Sequence, residues 1–348
     1  MFKILIVGPN LESFGGVAFL LNSLKKNGLF SNNDYFEYGN NKNILDNISD
    51  LIKFYKKFKV YDVVHFNPSF EYKSIFRDFL LSSIVLFFNK KVILSWMGWN
   101  EDVENKFLNN FILKYILLKI INNKSVIQIV SNDGFVHKLK KMGCSQNIEV
   151  IFPPYDSYLD NFNFEQKNLT SNDKIRILFL ARIEKSKGID KLIEIFDLLK
   201  NDPRFEFTVA GDGIELSKLK TLAKEKNIDI NFTGFIKGED KIELFKNSDL
   251  FLFPSVHSEG IPLILVEAMY AGLFLIVSDT GGIPYVINNN NGFVLNKFST
   301  AKDFYNKIKF IDICKFNKVS RNNIKQAKEN FSSEIIVSKY KKLYESII

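Results

Sequence analysis

The sequence predicts an α/β protein made of two Rossmann-like, doubly wound domains. Short apolar runs alternate with helical segments along most of the chain, which is the pattern of parallel sheets covered by helices. The chain has 348 residues, more than one hydrophobic core usually serves. The alternation stops at the proline pair 153–154 and restarts after a polar stretch at 155–173, which we interpret as a linker. We therefore expect one domain at 1–160, a second at 161–332 and a final amphipathic helix at 333–348.

In the first domain, strands are predicted at apolar runs bounded by turn residues, and helices at segments whose apolar residues recur with helical spacing. The strands are expected at 2–7, 61–66, 92–95, 125–131 and 148–152. The helices are expected at 18–26, 48–59, 74–88, 107–122 and 132–142. The Asn-rich segment 31–47 indicates surface loops and short elements.

In the second domain, the same alternation restarts with stronger signals. The strands are expected at 175–180, 205–210, 228–232, 250–253 and 273–277. The helices are expected at 189–200, 241–247, 262–271, 301–311 and 317–330. Because the strands are short, apolar and separated by helices, we expect them to form a parallel sheet that is buried on both faces.

Composition and charge exclude several classes of function. The net charge of +8, from 47 basic and 39 acidic residues, is mild for a nucleic-acid binder, and no basic arm accompanies it, so no nucleic-acid partner is expected. Cys144 and Cys314 are far apart and lack a CxxC pattern, which argues against a disulfide framework or a zinc site. The chain begins with a strand rather than a secretory signal, and no apolar run is long enough to span a bilayer. We expect a cytoplasmic protein.

One helix carries a cluster of positive charge. Within 48–59, lysines are interleaved with aromatic residues: Lys53, Lys56, Lys57 and Lys59. Such a cluster is usually a solvated face, but it also fits peripheral contact with an anionic membrane.

The most informative stretch runs from 251 to 295. A buried strand ends at Pro254, a polar turn follows, and a helix begins near Pro262 and ends before Gly272. Ligands bind at the carboxyl ends of parallel strands, and the free amides of a helix start favour anions. We therefore expect a phosphate beside the residues at the start of this helix, Gly260, Ile261, Pro262 and Leu263.

Two carboxylates flank this expected phosphate site. Glu259 lies in the loop before the helix, and Glu267 lies about one and a half turns inside it. Carboxylates accept hydrogen bonds from hydroxyls, so the pair can reach opposite ends of one ligand. A phosphate with hydroxyls on either side describes a sugar nucleotide.

This stretch resembles a known family. Glu259, followed by GIPLILV and Glu267, with Ala268-Met269 and Gly272 behind, is similar to the two-glutamate motif of family 4 glycosyltransferases. These are retaining enzymes of the GT-B fold, in which two Rossmann-like domains face each other across a cleft. The alternative interpretation of this stretch is an ordinary βαβ unit with two solvated glutamates. That interpretation would also have to account for the Pro-Ser upstream and for SDTGGIPYVI and NGFVL downstream.

The resemblance implies roles for residues of the second domain. The segment FLARIEKSKGIDKLIEIF is similar to the family's phosphate-gripping segment, so Arg182 and Lys187 are expected to neutralise the leaving diphosphate. Glu267 is expected to hold the ribose hydroxyls and Glu259 to face the transferred sugar. Gly211 is expected in a turn that approaches the nucleotide.

The resemblance also implies a contact between the base and the backbone at Ile236, and it implies that helix 333–348 crosses back to the first domain. Gly16 sits in a glycine pair between a strand and a helix, an anion-cradling arrangement that is similar to the family's glycine loop near the donor diphosphate and acceptor.

The acceptor side departs from the family. His65, in a strand that resembles the family's "DVVH" strand, is placed near the cleft without an assigned chemical role. Many members carry a His-Gly loop whose histidine contacts the donor sugar, whereas here Met97 precedes Gly98. A thioether cannot orient a hydroxyl as an imidazole does. Either other groups take over, or the sugar preference differs, or the protein is an inactive homologue.

These observations predict a retaining glycosyltransferase that moves a sugar from a nucleotide-sugar donor to a glycan or a lipid-linked saccharide, in cell-surface polysaccharide or glycoconjugate synthesis. A GT-B sugar-nucleotide epimerase and a non-catalytic sugar-nucleotide-binding homologue are the alternatives. The chain contains no Asp-x-Asp, so no metal and no other cofactor is predicted.

Overall fold

The computed structural model describes residues 3–13, 16–31, 33–38, 44–68, 71–257 and 260–347, with only the backbone described at 44–47 and 72–73. The chain divides into two compact units. Unit 1 comprises Met1–Pro154 and Ser333–Ile348, and unit 2 comprises Tyr155–Ser332. In the described residues, each unit contains one six-stranded parallel sheet with alternating helices, which confirms the predicted doubly wound α/β class.

The sheet of unit 1 has the strand order β2-β1-β3-β4-β5-β6. Its strands are β1 Ile4–Gly8, β2 Asp34–Glu37, β3 Val63–Phe66, β4 Lys91–Trp96, β5 Val126–Val130 and β6 Ile148–Val150. Its first six helices are α1 Gly16–Lys26, α2 Ile44–Phe58, α3 Tyr72–Phe87, α4 Glu101–Asn109, α5 Phe111–Ile121 and α6 Asp133–Met142.

The sheet of unit 2 has the strand order β12-β11-β10-β7-β8-β9. Its strands are β7 Ile175–Leu180, β8 Phe205–Ala210, β9 Asn231–Gly234, β10 Leu250–Phe253, β11 Phe274–Asp279 and β12 Gly292–Asn296. Its helices are α7 Ile189–Leu199, α8 Leu216–Glu225, α9 Gly238–Lys246, α10 Leu263–Tyr270, α11 Ala301–Lys309 and α12 Ile313–Phe331. The last helix of the chain, α13 Ser333–Ser346, belongs to unit 1.

Strands of unit 1 such as β1 supply two hydrophobic cores, because successive side chains point to opposite faces of a sheet. On β1, Ile4 and Ile6 pack with residues of α1 and α13, whereas Leu5 and Val7 pack with residues of α2 to α6. The helices α2 to α6 therefore cover one face of the sheet, and α1 with α13 covers the other. In the described part of the chain, no helix combines the length and the hydropathy of a membrane span.

The stretch at 155–173 differs from a free linker. Tyr155 is buried and stacks on Tyr270, with ring centroids 4.5 Å apart, and Leu159 and Phe164 are also buried in unit 2. The sequence does not predict these contacts, because the apolar residues of this polar stretch do not recur with the period of a helix or a strand. The stretch is thus anchored to unit 2.

Candidate active site

The predicted donor-site residues that the structure describes lie in the loops and helices that follow the strands at one edge of the unit 2 sheet. The carboxyl ends of its six parallel strands meet there. The chain runs outward from β7 through β8 to β9 and then returns to β10 on the other side of β7. This reversal between β7 and β10 is a topological switch point, the place where open parallel sheets bind ligands.

The loops after β7 and β10 are joined by their backbones at this switch point. The Ser186 carbonyl accepts hydrogen bonds from the N–H groups of Val256 at 3.1 Å and His257 at 3.2 Å. Gly188 has a φ of +77°, and a Cβ there would lie 2.0 Å from the Pro254 carbonyl oxygen. Only glycine allows the two loops to come this close, so the contact between the loops explains why residue 188 is a glycine.

The loop after β8 is joined to its neighbours in the same way. The Gly211 N–H donates to the Gly234 carbonyl at 2.7 Å. Gly211 has a φ of +125°, and a Cβ there would lie 1.9 Å from the Ala181 carbonyl oxygen. Ile236, which is half-buried, lies two residues after the end of β9. Gly211 and Ile236 therefore lie on neighbouring loops at the predicted edge.

Two helices begin at this edge with their first amides uncapped by side chains. Helix α7 begins at Ile189, and α10 begins at Leu263 after Pro262; neither helix has a side-chain hydrogen bond at its N-cap. Gly260 and Ile261, just before α10, are half-buried. Uncapped amides at the start of a helix, together with the helix dipole, favour an anion such as a phosphate.

Two cations of the predicted site follow β7. The Arg182 side chain is 73% exposed, and its guanidinium lies 2.8 Å from a Glu184 carboxylate oxygen. The half-buried Lys187 places its ammonium 5.9 Å from the centroid of the Phe253 ring. An exposed ion pair such as that of Arg182 contributes little stability, so the guanidinium can exchange its partner for a phosphate. Glu259 lies outside the described residues.

Glu267 is buried in α10 and forms part of a charged cluster. Its carboxylate lies 3.1 Å from the Lys241 ammonium, which also lies 3.3 Å from Asp156. Burial raises the pKa of the Glu267 carboxyl, and the Lys241 ammonium opposes this change. Burial lowers the pKa of Lys241, but the two carboxylates outweigh it and raise that pKa overall, so Lys241 stays protonated. The Lys241 ammonium thus holds the Glu267 carboxylate in place within the cluster.

Sequence reasoning missed Lys241 and Asp156. Lys241 lies in the first turn of α9, which follows β9, and Asp156 lies in the stretch that its polar composition marked as a linker. One signal was available, because α9 starts at the same sheet edge as the other site residues. No sequence pattern, however, indicated that Asp156 comes within reach of α9.

In unit 1, Gly16 begins α1, which follows β1, whereas Met97 and Gly98 lie in the loop after β4. Gly16 is exposed at the start of α1, and a Cβ there would meet nothing within 4 Å, so local packing does not explain the glycine. Met97 is half-buried and packs against the core beneath α1 and α13. Gly98 follows it and is half-buried. Next to it, the Trp99 indole N–H donates to Glu104 at 2.6 Å.

His65 is enclosed within unit 1. The residue is 1% exposed, with Nδ1 2.7 Å from the Tyr344 hydroxyl oxygen and Nε2 2.6 Å from the Ser95 hydroxyl oxygen. Burial lowers the pKa of His65 to about 3. Both ring nitrogens thus have partners inside the fold, so the imidazole joins β3 and β4 to α13 and has no free nitrogen for a substrate.

Unit 2 places uncapped helix amides, cations and a buried carboxylate at or beside the switch point of its sheet, which suits a ligand that carries both phosphate and hydroxyl groups. Residues 160–330 match the family model described as Glycosyl transferases group 1. The chain is a glycosyltransferase with the GT-B fold.

Known proteins similar to this chain include several glycosyltransferases. An uncharacterized glycosyltransferase of Methanocaldococcus jannaschii, MJ1069, is 27% identical over 84% of this chain and 70% of its own length. The N,N'-diacetylbacillosaminyl-diphospho-undecaprenol alpha-1,3-N-acetylgalactosaminyltransferase of Campylobacter jejuni is 28% identical over 66% of this chain and 60% of its own length. The structure of Anabaena HepE in complex with UDP superposes with a TM-score of 0.76 and 15% identity, covering 99% of this chain and 100% of that one. At this identity, the last likeness establishes the fold alone.

Proposed function

We propose that the chain is a family 4 enzyme that transfers a sugar, with retention of anomeric configuration, from a nucleotide-sugar donor to a glycan or a lipid-linked saccharide. The observation that carries this proposal is that Arg182, Lys187 and two uncapped helix starts follow β7 and β10, the neighbouring strands of the switch point, and that the buried Glu267 lies in the helix after β10. A nucleotide sugar needs both an anion site for its diphosphate and a carboxylate that accepts hydrogen bonds from its hydroxyl groups. The Campylobacter relative supports the acceptor class, since its name specifies a diphospho-undecaprenol substrate.

In the proposed reaction, the bond between the anomeric carbon and the diphosphate oxygen breaks, and its electron pair leaves with the diphosphate. The acceptor hydroxyl forms the new bond on the same face of the sugar, and its proton passes to the departing diphosphate oxygen. Arg182, Lys187 and the amides of α7 and α10 stabilise the charge that develops on the leaving group. Glu267 accepts hydrogen bonds from the ribose hydroxyls, and Glu259 faces the transferred sugar.

We expect the reaction to need no bound metal, because the chain contains no Asp-x-Asp and because Arg182 and Lys187 can supply the positive charge. Turnover should persist in EDTA. A loss of turnover that Mg²⁺ or Mn²⁺ restores would contradict this part of the proposal.

The proposal is tested first by thermal stabilisation with a panel of nucleotide sugars, because ligand binding raises the apparent melting temperature even when the acceptor is unknown. The stabilising donor is then incubated with candidate acceptors, and the anomeric configuration of the product is read by NMR. Turnover to a product of retained configuration supports the proposal. Binding without turnover under every acceptor would instead favour the non-catalytic alternative that Met97 suggests.

Arg182→Ala should lower turnover on the order of 10²-fold, because it removes a preorganised positive charge from the leaving group. Arg204→Ala is the matched control, since Arg204 also pairs with a carboxylate two residues away, Asp202, but precedes β8 at the opposite edge of the sheet. Equal turnover in the two variants would remove Arg182 from the site.

We also place the enzyme in the cytoplasm, in peripheral contact with an anionic membrane. Cys144 and Cys314 are both free thiols, which suits a reducing compartment. The lysines of α2 and the turn that follows it supply the positive charge for such a contact.

A further inference from the structure

Arg77 is held in a fixed orientation near the start of helix α3 in unit 1. Its guanidinium donates to the Asp78 carboxylate from Nε at 2.9 Å and from Nη2 at 3.3 Å. The Cζ atom of Arg77 lies 3.5 Å from the centroid of the Tyr38 ring. Asp78 and Tyr38 are both buried. A buried carboxylate on one edge and an aromatic ring on one face therefore fix the guanidinium in place.

The fixed guanidinium keeps donors for a further partner. Nη2 also donates to Ser74 Oγ at 3.3 Å, so the guanidinium lies back over the first turn of α3. Among the residues that the structure describes, Nη1 has no hydrogen-bond partner, and the Arg77 side chain is 34% exposed. A guanidinium carries more N–H donors than Asp78 and Ser74 occupy, so Nη1 can bind an oxyanion.

The first turn of α3 offers backbone donors beside this guanidinium. Glu71 precedes α3, but its side chain caps none of the helix amides and instead accepts a hydrogen bond from Asn100 Nδ2 at 3.2 Å. Glu37, an exposed carboxylate at the end of β2, accepts a hydrogen bond from Asn10 Nδ2 at 3.0 Å. The ion pair of Arg77 is with Asp78 rather than with either glutamate. Uncapped amides and a fixed cation both favour an anion.

A buried amide oxygen at the same edge of the sheet lacks a donor. Asn67, directly after β3, is 3% exposed and donates from Nδ2 to the Val7 carbonyl at 3.2 Å. Its Oδ1 has no hydrogen-bond partner within the described part of the chain. The carbonyl of the next residue, Gly8, accepts from the Tyr38 N–H at 3.0 Å. Asn67 and the ring that supports Arg77 are therefore anchored to consecutive residues of β1. A buried acceptor without a donor suits a ligand hydroxyl.

We propose that unit 1 binds a negatively charged saccharide, with its carboxylate or phosphate on Arg77 and the first amides of α3, and one of its hydroxyls on Asn67. Arg77 is the only arginine in the sequence of unit 1. Arginine suits this role better than lysine, because a planar guanidinium holds Asp78 on one edge and still presents donors on another. That this saccharide is the acceptor rests on the proposed glycosyl transfer, whereas the anion site itself does not.

The experiment measures the affinity of the full chain for methyl β-glucuronide, methyl β-glucoside 6-phosphate and methyl β-glucoside by ligand-observed NMR titration. The three probes share one pyranose ring, and the last carries no charge. The parent should bind at least one anionic probe on the order of 10-fold more tightly than the neutral probe, because hydrogen bonds between ionised groups are stronger than those between neutral groups. Which anionic probe binds identifies the oxyanion as a carboxylate or a phosphate. Inorganic phosphate, the fourth probe, should bind more weakly because it cannot reach Asn67 as well.

Two variants isolate Arg77. Arg77→Gln combined with Asp78→Asn removes the cation without leaving a buried carboxylate unpaired, and it should abolish the preference for the anionic probes. Arg77→Lys keeps a cation for Asp78 but loses the second edge, so it should also lower the preference, and it decides the question if the double variant does not fold. Arg204→Gln with Asp202→Asn is the matched control, since it removes an arginine–aspartate pair of unit 2. The control should bind the probes as the parent does.

Several outcomes would overturn the proposal: equal affinity of the parent for charged and neutral probes, a preference that survives in the Arg77 variants, an equal loss in the control, or inorganic phosphate that binds as tightly as the charged sugars. Nucleotide-sugar binding is measured by calorimetry on the same variants. Unchanged donor affinity beside a lost preference supports the proposal, whereas an equal loss of donor affinity would place Arg77 in the donor site instead.

The same measurements separate this proposal from the proposed function. A parent that prefers the charged sugars through Arg77 but binds no nucleotide sugar would refute the proposed glycosyl transfer and leave the anion site intact. A parent that transfers sugar to neutral acceptors as readily as to charged ones would refute the charged acceptor and leave the glycosyl transfer intact.

Discussion

The Lys241 ammonium favours the charged form of the Glu267 carboxyl group. A carboxyl group as buried as Glu267 would become neutral without a cation nearby, and a protonated carboxyl accepts hydrogen bonds from ribose hydroxyls less well than a carboxylate. The ammonium at 3.1 Å opposes that change, and Asp156 helps to keep the ammonium charged. The three residues therefore act together, although only Glu267 matches the family motif.

This cluster leads to a prediction that separates stability from binding. Lys241→Met should lower the free energy of unfolding by about 3 kcal/mol, because it leaves a buried carboxyl without its cation. It should also weaken nucleotide binding, more so at lower pH, because Glu267 then takes up a proton more readily. Combining it with Glu267→Gln should restore much of the stability but not the affinity. Urea unfolding and calorimetry measure the two quantities, and Lys237→Met, on an exposed neighbour, is the control.

At the scale of elements, the proposed donor site depends on glycines that let loops approach one another. Gly188→Ala should destabilise the chain by about 3 kcal/mol or more and weaken nucleotide binding, because its Cβ would meet the Pro254 carbonyl at 2.0 Å and force the loops after β7 and β10 apart. Gly238→Ala is the control. Its φ of +57° is also positive, but a Cβ there meets nothing within 4 Å, so its cost should stay near 1–2 kcal/mol. Similar losses in urea unfolding would show that backbone conformation alone is responsible.

The packing of α13 on unit 1 makes a prediction about pH. His65 has a pKa of about 3 in the folded chain, whereas an unperturbed histidine titrates near 6.5. Between these values the unfolded chain binds a proton that the folded chain excludes. The free energy of unfolding should therefore fall as the pH drops from about 6.5 towards 3, by up to about 1.4 kcal/mol per pH unit from this group. His65→Gln should reduce that slope. Equal slopes in the parent and the His65 variant would contradict this origin.

Two elements of unit 1 differ from those that the sequence pattern predicts. The predicted helix at 107–122 is two helices, α4 and α5, because the Asn110 side chain accepts hydrogen bonds from the N–H groups of Ile112 and Leu113 and starts a new helix. Strand β2 lies inside the segment 31–47 that was interpreted as loops and short elements. Its DYFE sequence has only one buried side chain, Phe36, so it lacks the apolar run that identifies the central strands.

At the scale of the whole molecule, the two units can be followed separately. The chain has two tryptophans, Trp96 and Trp99, and both lie in unit 1, whereas the donor-site residues of the β7 and β10 loops lie in unit 2. A saturating nucleotide sugar should therefore raise the melting midpoint seen by calorimetry more than the midpoint seen by tryptophan fluorescence, because ligand binding stabilises first the unit that holds the ligand. An equal rise in both midpoints would mean that the units unfold as one.

The sequence by itself determined the class of the fold and which loops follow the strands at the edge where we propose the donor site, because both depend on local signals. Apolar runs, helix starts and glycines at strand ends can be recognised from a few consecutive residues. Parallel topology then brings the ends of the strands before Arg182 and Gly260 to one edge of the sheet. Tertiary structure alone decided which side chains meet across long separations, such as Lys241 and Asp156 with Glu267, and His65 with Tyr344. Such contacts depend on how helices pack around a sheet, and an exposed phenylalanine is indistinguishable in sequence from a buried one until its neighbours are in place.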